Sequence, residues 1–303
     1  MPLIMKSLPI ISALFMIVFS LTSCVKESDD IIIENDPKLV VECYLNPTDT
    51  DITAIVNENR PIDGPGSGDR GQVNPILNAT VFLSDGNREV QLTNAKNNTY
   101  TIAASRFALV AGRTYTLKVT APGLPATEAT CTIPRVPSAL SAKDSELTYE
   151  RDQTSTYKVY RKRSLSWTNT QTKATQYYLV GSGEGSAYKV KVASGDSTCI
   201  KLKNAEVVAF LNENQAAGAT YSTQTLNFLV GHASSATDTK ITSTAPRYSF
   251  VYHVDKNYYE FYRTIKRQRE VGDNPFAEAM PVYSNIKNGL GVFGAYVTQV
   301  KSL

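Results

Sequence analysis

The feature that most restricts this chain is a pattern repeated from Leu39 onward: short runs in which apolar and polar residues alternate, separated by Gly, Pro, Asn and Asp. Alternation with a period of two places every second side chain on one face of a strand, and the separators are the residues that turn a chain tightly. A chain written this way folds into sheets, and any helix has to be argued for individually.

The run KLVVECYL at 38–45 reads as a first strand, stopped by Asn46-Pro47, and a second follows at 51–57. RPIDGPGSGDRG at 60–71 holds too much Gly and Pro to pair in a sheet and reads as a loop. ATVFLS at 79–84 runs into the tight-turn triplet Asp85-Gly86-Asn87, and strands at 89–92 and 99–103 follow. In TYTLKVT at 114–120, Tyr115, Leu117 and Val119 share one face, and Ala121-Pro122-Gly123 turns the chain toward a last strand at 129–133. Seven or eight short strands within residues 38–135 suit a β-sandwich of the immunoglobulin or transthyretin kind. Residues 136–303 read as a second, mainly β domain with runs at 156–161, 176–180, 187–192, 199–202, 206–211, 225–230 and 247–254. There, Trp167 and the Tyr177-Tyr178 pair are expected as core anchors or sheet-face aromatics. One stretch departs from the pattern: Tyr258, Tyr259, Phe261, Tyr262 and Ile265 recur at helical spacing, which predicts a helix near 256–269. Asp255 can cap its start, while Lys266, Arg267 and Arg269 suit the negative end of its dipole. The fold class is all-β, and 303 residues fit two domains at roughly 100–200 residues each.

Ahead of the strands, the segment MKSLPIISALFMIVFSLTSC at 5–24 has one cation, Lys6, and an apolar run from about 8 to 21. The run is shorter than the ~20 residues that span a bilayer core, so residues 1–23 read as a targeting signal. Its ending, Leu21-Thr22-Ser23-Cys24, resembles the lipobox of bacterial lipoproteins, in which the Cys thiol carries a thioether-linked lipid and becomes the new N-terminus. Several acyl chains, at ~0.8 kcal/mol per buried CH2, then hold a protein stably in a bilayer. An ordinary secretion signal with a coincidental Cys is the alternative. VKESDD at 25–30 resembles a surface-export signal, with a soluble acidic tether as the plainer reading; residues 24–37 form that tether.

Chemistry is sparsely provided for. With 31 basic and 28 acidic residues the net charge of +3 does not call for a nucleic-acid partner. Two histidines and scattered cysteines do not supply the three protein ligands of a zinc site, so no metal or cofactor is expected. His232 and His253 lie near no Gly-x-Ser-x-Gly elbow; each reads as an exposed or hydrogen-bonded structural residue, and a hydrolase built around either is the minor alternative. The acidic 63–69 stretch lacks calcium-loop spacing. No catalytic residue is assigned, and the expectation is a non-enzyme. Lys158, Arg161, Lys162 and Arg163 could meet an acidic glycan or headgroup, but such runs are more often solvated strand edges. Of the cysteines other than Cys24, Cys43 and Cys131 lie on the first and last strands of the sandwich and can bridge if those strands lie side by side; otherwise they are separate buried thiols. Cys199 is expected to be unpaired.

The C-terminal region is the most specific. Asn274-Pro275-Phe276, followed by PVYSNIKNGLGVFGAY at 281–296, resembles the closing signature of the DUF4249 family of Bacteroidota lipoproteins. The lipobox, VVECYL at 40–45, NATVFLSDG at 78–86 and the TYTLKV block agree with it, although Cys43 stands where the family more often has Gly. Read from the residues, Ser284, Asn285, Ile286, Gly289, Gly291, Phe293, Gly294 and Tyr296 serve an irregular turn and a closing strand, with a ligand loop or docking surface as the alternative. The resemblance implies an outer-membrane lipoprotein encoded beside a TonB-dependent transporter. The function it suggests is non-catalytic capture or gating in nutrient uptake. The alternatives are an independent glycan- or protein-binding surface module, or the hydrolase. Binding surfaces are expected on the 60–71 loop, on loops of the second domain, or on the aromatic helix face if it is not fully packed.

Overall fold

A computed structural model describes residues 36–59, 74–138, 140–170, 174–192, 195–215, 218–243, 245–271 and 281–303. The targeting segment, Cys24, tether residues 24–35, the 60–71 loop and Asn274-Pro275-Phe276 lie outside the described residues. The protein is mostly β, as the alternation requires. The first strands are β1 (Leu39–Leu45), β2 (Asp51–Glu58), the short β3 (Asn74–Pro75) and β4 (Thr80–Ser84). After them come β5 (Glu89–Lys96), β6 (Thr99–Ala103), β7 (Thr114–Thr120) and β8 (Thr127–Thr132). In β1 the period of two is strict: Leu39, Val41, Cys43 and Leu45 are buried while Val40, Glu42 and Tyr44 face outward. The 85–87 turn closes as its residues dictate, since Asp85 Oδ1 accepts from the backbone N–H of Asn87 (3.0 Å) and Arg88 (2.8 Å) and Gly86 takes φ +88°.

The remaining strands are β9 (Ser141–Arg151), β10 (Tyr157–Thr168), β11 (Ala174–Val192), β12 (Gly195–Gln215), β13 (Thr220–Ser222), β14 (Leu226–Ala233), β15 (Arg247–Val254) and β16 (Leu290–Ser302). Between β15 and β16 lies helix α1 (Lys256–Val271), started by Asp255, whose Oδ1 accepts from Tyr258 N–H at 2.9 Å. Two features depart from the sequence reading. The runs at 176–180 and 187–192 are one long strand, and so are 199–202 and 206–211; together they pair as a single extended hairpin. The glycines that interrupt the alternation mark close approaches: a Cβ at Gly181 would lie 2.0 Å from the Glu206 carbonyl oxygen, and one at Gly185 would enter the Tyr248 ring. In addition, β9 has no counterpart among the sequence's alternating runs, because an outer strand pairing with β10 alone keeps an exposed, unpatterned sequence.

Twelve strands make one sheet in the order β12-β11-β15-β16-β1-β2-β6-β5-β4-β7-β8, with β3 beside β2. Its central joint is the parallel pairing of β1 with β16, Val40 opposite Leu290 through Leu45 opposite Ala295, so the last strand of the chain closes onto the first. Side chains of β1, β2 and β16 share one core with those of β4, β7 and β8, which requires the sheet to curl back and pack on itself as a sandwich-like layer pair. The other half of the sheet, through Tyr178, Val180 and Val251, packs on a four-stranded sheet of β13, β10 and β14 with β9 beside β10. Trp167 is a core anchor there, stacked on Tyr221 (5.6 Å, 3°) and edge-on to Tyr178 (5.0 Å).

The Cys43–Cys131 bridge does not form: both thiols are buried and free. β1 sits between β16 and β2 while β8 pairs with β7, so the two cysteines share the core without lying on adjacent strands. Burial pushes the Cys43 thiol up to about 12, which leaves it an inert core residue.

Candidate functional site

The outward residues of β1 identify the site. Pairing through β2, β1, β16 and β15 puts Ile55, Glu42, Tyr44, Tyr296, Thr298 and Tyr252 on the face opposite the first core. Helix α1 covers one part of that face, where Tyr258 packs on Tyr44 (5.2 Å) and Tyr296 (5.4 Å). The part left uncovered is a groove of about 690 Å3. One wall is the 46–51 loop, and the other is the β11–β12 hairpin, contributing Tyr188, Ile200, Lys201 and Leu202. The Tyr188 hydroxyl donates to the Thr48 carbonyl oxygen (3.1 Å) and joins the two walls.

The loop is shaped by one residue. Asn46 Oδ1 accepts from Thr48 N–H (3.2 Å) and from its hydroxyl (3.0 Å), while Asn46 Nδ2 donates to Asp49 Oδ1 (3.0 Å). Asp49 is therefore held in place beside Lys201. Burial raises its carboxyl to about 6, with Asn46 and Lys201 acting in the opposite direction. Burial also raises Glu42 and pushes Tyr44, Tyr252 and Tyr296 well above the usual phenol range, so their hydroxyls keep their protons. The groove thus offers carboxylate acceptors, phenol donors and threonine hydroxyls, with three carboxyl groups (Glu42, Asp49, Asp51) against one ammonium (Lys201). None of this was singled out from sequence. The outward positions of one strand are legible, but that four strands far apart in the chain share a face is not.

The residues that were singled out serve other ends. Asn285 pairs with β16 as a strand would: its Oδ1 accepts from Phe293 N–H (3.0 Å) and its Nδ2 donates to Phe293 O (2.9 Å). The Ser284 hydroxyl accepts from Ile286 N–H (3.2 Å), and Ile286 joins the first core with Phe293. At Gly294 a Cβ would lie 3.2 Å from the Tyr258 backbone, and at Gly289 it would meet Leu39 O at 2.9 Å. Of the signature, Tyr296 reaches the groove. The aromatic helix face is packed, with Tyr258, Tyr259 and Phe261 buried. Three of the four basic residues of the run on β10 are paired: Arg161 and Arg163 with Asp144, and Lys162 with Glu146.

Among the described residues neither histidine ring is hydrogen-bonded to a hydroxyl or thiol nucleophile. His232 is exposed beside Ser243, whose hydroxyl donates to Ala245 O (2.8 Å). His253 is buried at 2 % exposure, stacked on Tyr178, with Nδ1 2.8 Å from Arg135 O and Nε2 2.8 Å from Gln176 Oε1. Burial lowers it to about 4, against the pull of the Arg135 carbonyl. The unfolded chain therefore takes up a proton at this residue near its ordinary 6.5 while the folded one does not, and the stability it contributes is present above 6.5 and lost as pH falls through 4. Over that window the wild type is expected to lose about 3 kcal/mol relative to His253→Gln, measured by urea denaturation at each pH. Parallel pH profiles for the two proteins would refute it.

Among the described residues no group of three or more His, Cys, Asp or Glu side chains is placed to hold a metal ion. No curated protein is similar enough to match the chain. The family described as "Domain of unknown function (DUF4249)" matches residues 25–302, which takes in both sheets, the helix and the closing strand. The chain therefore belongs to the DUF4249 family.

Proposed function

We propose that the protein is a lipid-anchored outer-membrane component that captures a nutrient for a TonB-dependent transporter, with no chemical step of its own. The observation that carries capture is the groove: a concave, ligand-sized site with a pre-shaped loop on one wall and protonated phenols in its floor. Anchoring is supported by Leu21-Thr22-Ser23-Cys24 and the acidic run behind it. The transporter partner rests on family resemblance alone. In this reading Cys24 holds the chain on the bilayer, the tether from 25 to 37 sets its reach, and the groove presents its ligand to the transporter mouth.

The test is native purification of the tagged protein from gently solubilised outer membrane, followed by mass spectrometry. A transporter in stoichiometric amount that survives washing is expected. Recovery of the protein alone, with surface labelling confirming exposure, would remove the transporter and leave an independent binding module, which the same groove would serve.

A further inference from the structure

The lining of the groove narrows what it can hold. Among the described residues, an anionic ligand would meet Glu42, Asp49 and Asp51 against the single cation Lys201. A purely apolar ligand would strip water from carboxylates and threonine hydroxyls and return no hydrogen bond. A cation can satisfy the carboxylates but, having no acceptor, makes no use of the groove's hydroxyl donors beyond Thr48, Thr50 and Tyr188, which already donate within its walls. A ligand with hydroxyl groups uses both sides: its protons go to Asp49 and Glu42, and its oxygens accept from tyrosine and threonine. The aromatic surface of Tyr44, Tyr188, Tyr252 and Tyr296 suits the apolar faces of sugar rings. The volume of about 690 Å3 exceeds a single sugar and fits a short chain.

We propose that the groove binds an uncharged oligosaccharide, held by hydrogen bonds to the Asp49 and Glu42 carboxyls and by packing against the tyrosines of the floor and the hairpin wall. The inference rests on the groove being the capture site proposed above, and the two readings are separable. The loop already occupies its bonded shape through Asn46, so little ordering cost falls on binding. Of the groove tyrosines, Tyr188 is the best probe, because it sits on the hairpin wall instead of within the packed tyrosines under α1.

The experiment is calorimetric titration of the detergent-purified full-length protein with neutral hexasaccharides (cello-, xylo-, manno-, laminari-, malto- and chitohexaose). A heparin fragment, an oligogalacturonate and a lysine-rich peptide serve as charged probes. At least one neutral probe is expected to bind with Kd on the order of 10 μM to 1 mM. Asp49→Asn and Tyr188→Ala should each weaken that binding by roughly fivefold or more while the far-ultraviolet circular dichroism stays that of the wild type. Silence of every neutral probe overturns the proposal, and so does preference for a charged probe or binding that neither variant weakens. Should the transporter co-purify while the neutral probes stay silent, the accessory role stands and the saccharide falls. Saccharide binding by a protein recovered alone has the opposite meaning.

Discussion

Gly291→Ala is expected to cost the protein a large part of its stability. Gly291 lies opposite Val41 where β16 runs parallel to β1, at φ +100°. A Cβ there would sit 2.1 Å from the Val41 carbonyl oxygen, 2.9 Å from its carbonyl carbon and 3.0 Å from its nitrogen. All three are backbone atoms of a strand whose alternate side chains are completely buried, so no side chain can swing aside. Relief requires separating β1 from β16, the joint that holds the two halves of the sheet together. The expected cost is about 4 kcal/mol or more, against a total stability for ordinary proteins of roughly 5–15 kcal/mol. Gly86→Ala is the control. It has a similar backbone, φ +88°, but open space around the new methyl group, and should cost about 1–2 kcal/mol. Urea midpoints of the two variants decide the matter: equal losses would mean that backbone conformation, and not the contact with Val41, sets the requirement for glycine.

The second large effect is expected at Arg163. From β10 its guanidinium, 5 % exposed, makes a two-pronged bond to the Asp144 carboxylate and reaches across to β15 and β16, donating to the Ser249 hydroxyl (3.0 Å) and the Ser302 carbonyl oxygen (2.7 Å). One side chain thus ties the four-stranded sheet to the final strand of the larger one. Arg163→Ala removes the tie and leaves a buried hydroxyl and carbonyl without this donor, an expected loss of about 3 kcal/mol. Arg161 meets the same carboxylate (2.9 Å) from a position about a third exposed, so Arg161→Ala should cost under about 1 kcal/mol. Hydrogen bonding from Arg163, ahead of that from Arg161, holds the Asp144 carboxyl down to about 2. Its titration by NMR should therefore move upward much further in the Arg163 variant than in the Arg161 variant. Equal stability losses from the two arginines would contradict the assigned tie.

Much of the fold is legible residue by residue. The β1 alternation, the Asp85-Gly86-Asn87 turn and the tyrosine-rich helix begun by Asp255 are local facts, fixed by periods of two and 3.6 and by side chains that bond their own backbone. Glycine carries two meanings. In Gly181, Gly183 and Gly185 the sequence looks like punctuation, yet these residues lie inside β11 because neighbouring backbone and rings come too close for a side chain. The same chemistry that ends a strand in one place permits crowding in another, and only the neighbour tells which. Cys43 and Cys131 teach a related lesson: being on the first and last strands of a sandwich did not make those strands neighbours.

By itself the sequence determined the strand-rich class, the amphipathic helix at 256–271, the faces that turn inward and the family signature at the C-terminus. Each of these depends on residues close together in the chain. Tertiary structure alone decided that β16 returns to pair in parallel with β1, that Arg163 is buried as a tie between sheets, and that Glu42, Asp49, Tyr188 and Tyr252 line one groove. Those groups lie up to 210 residues apart, from Glu42 to Tyr252, and no local periodicity carries such a distance. They meet because strand pairing propagates side-chain direction across a sheet, so that one register choice at the β1–β16 joint sets what faces what on every strand beyond it.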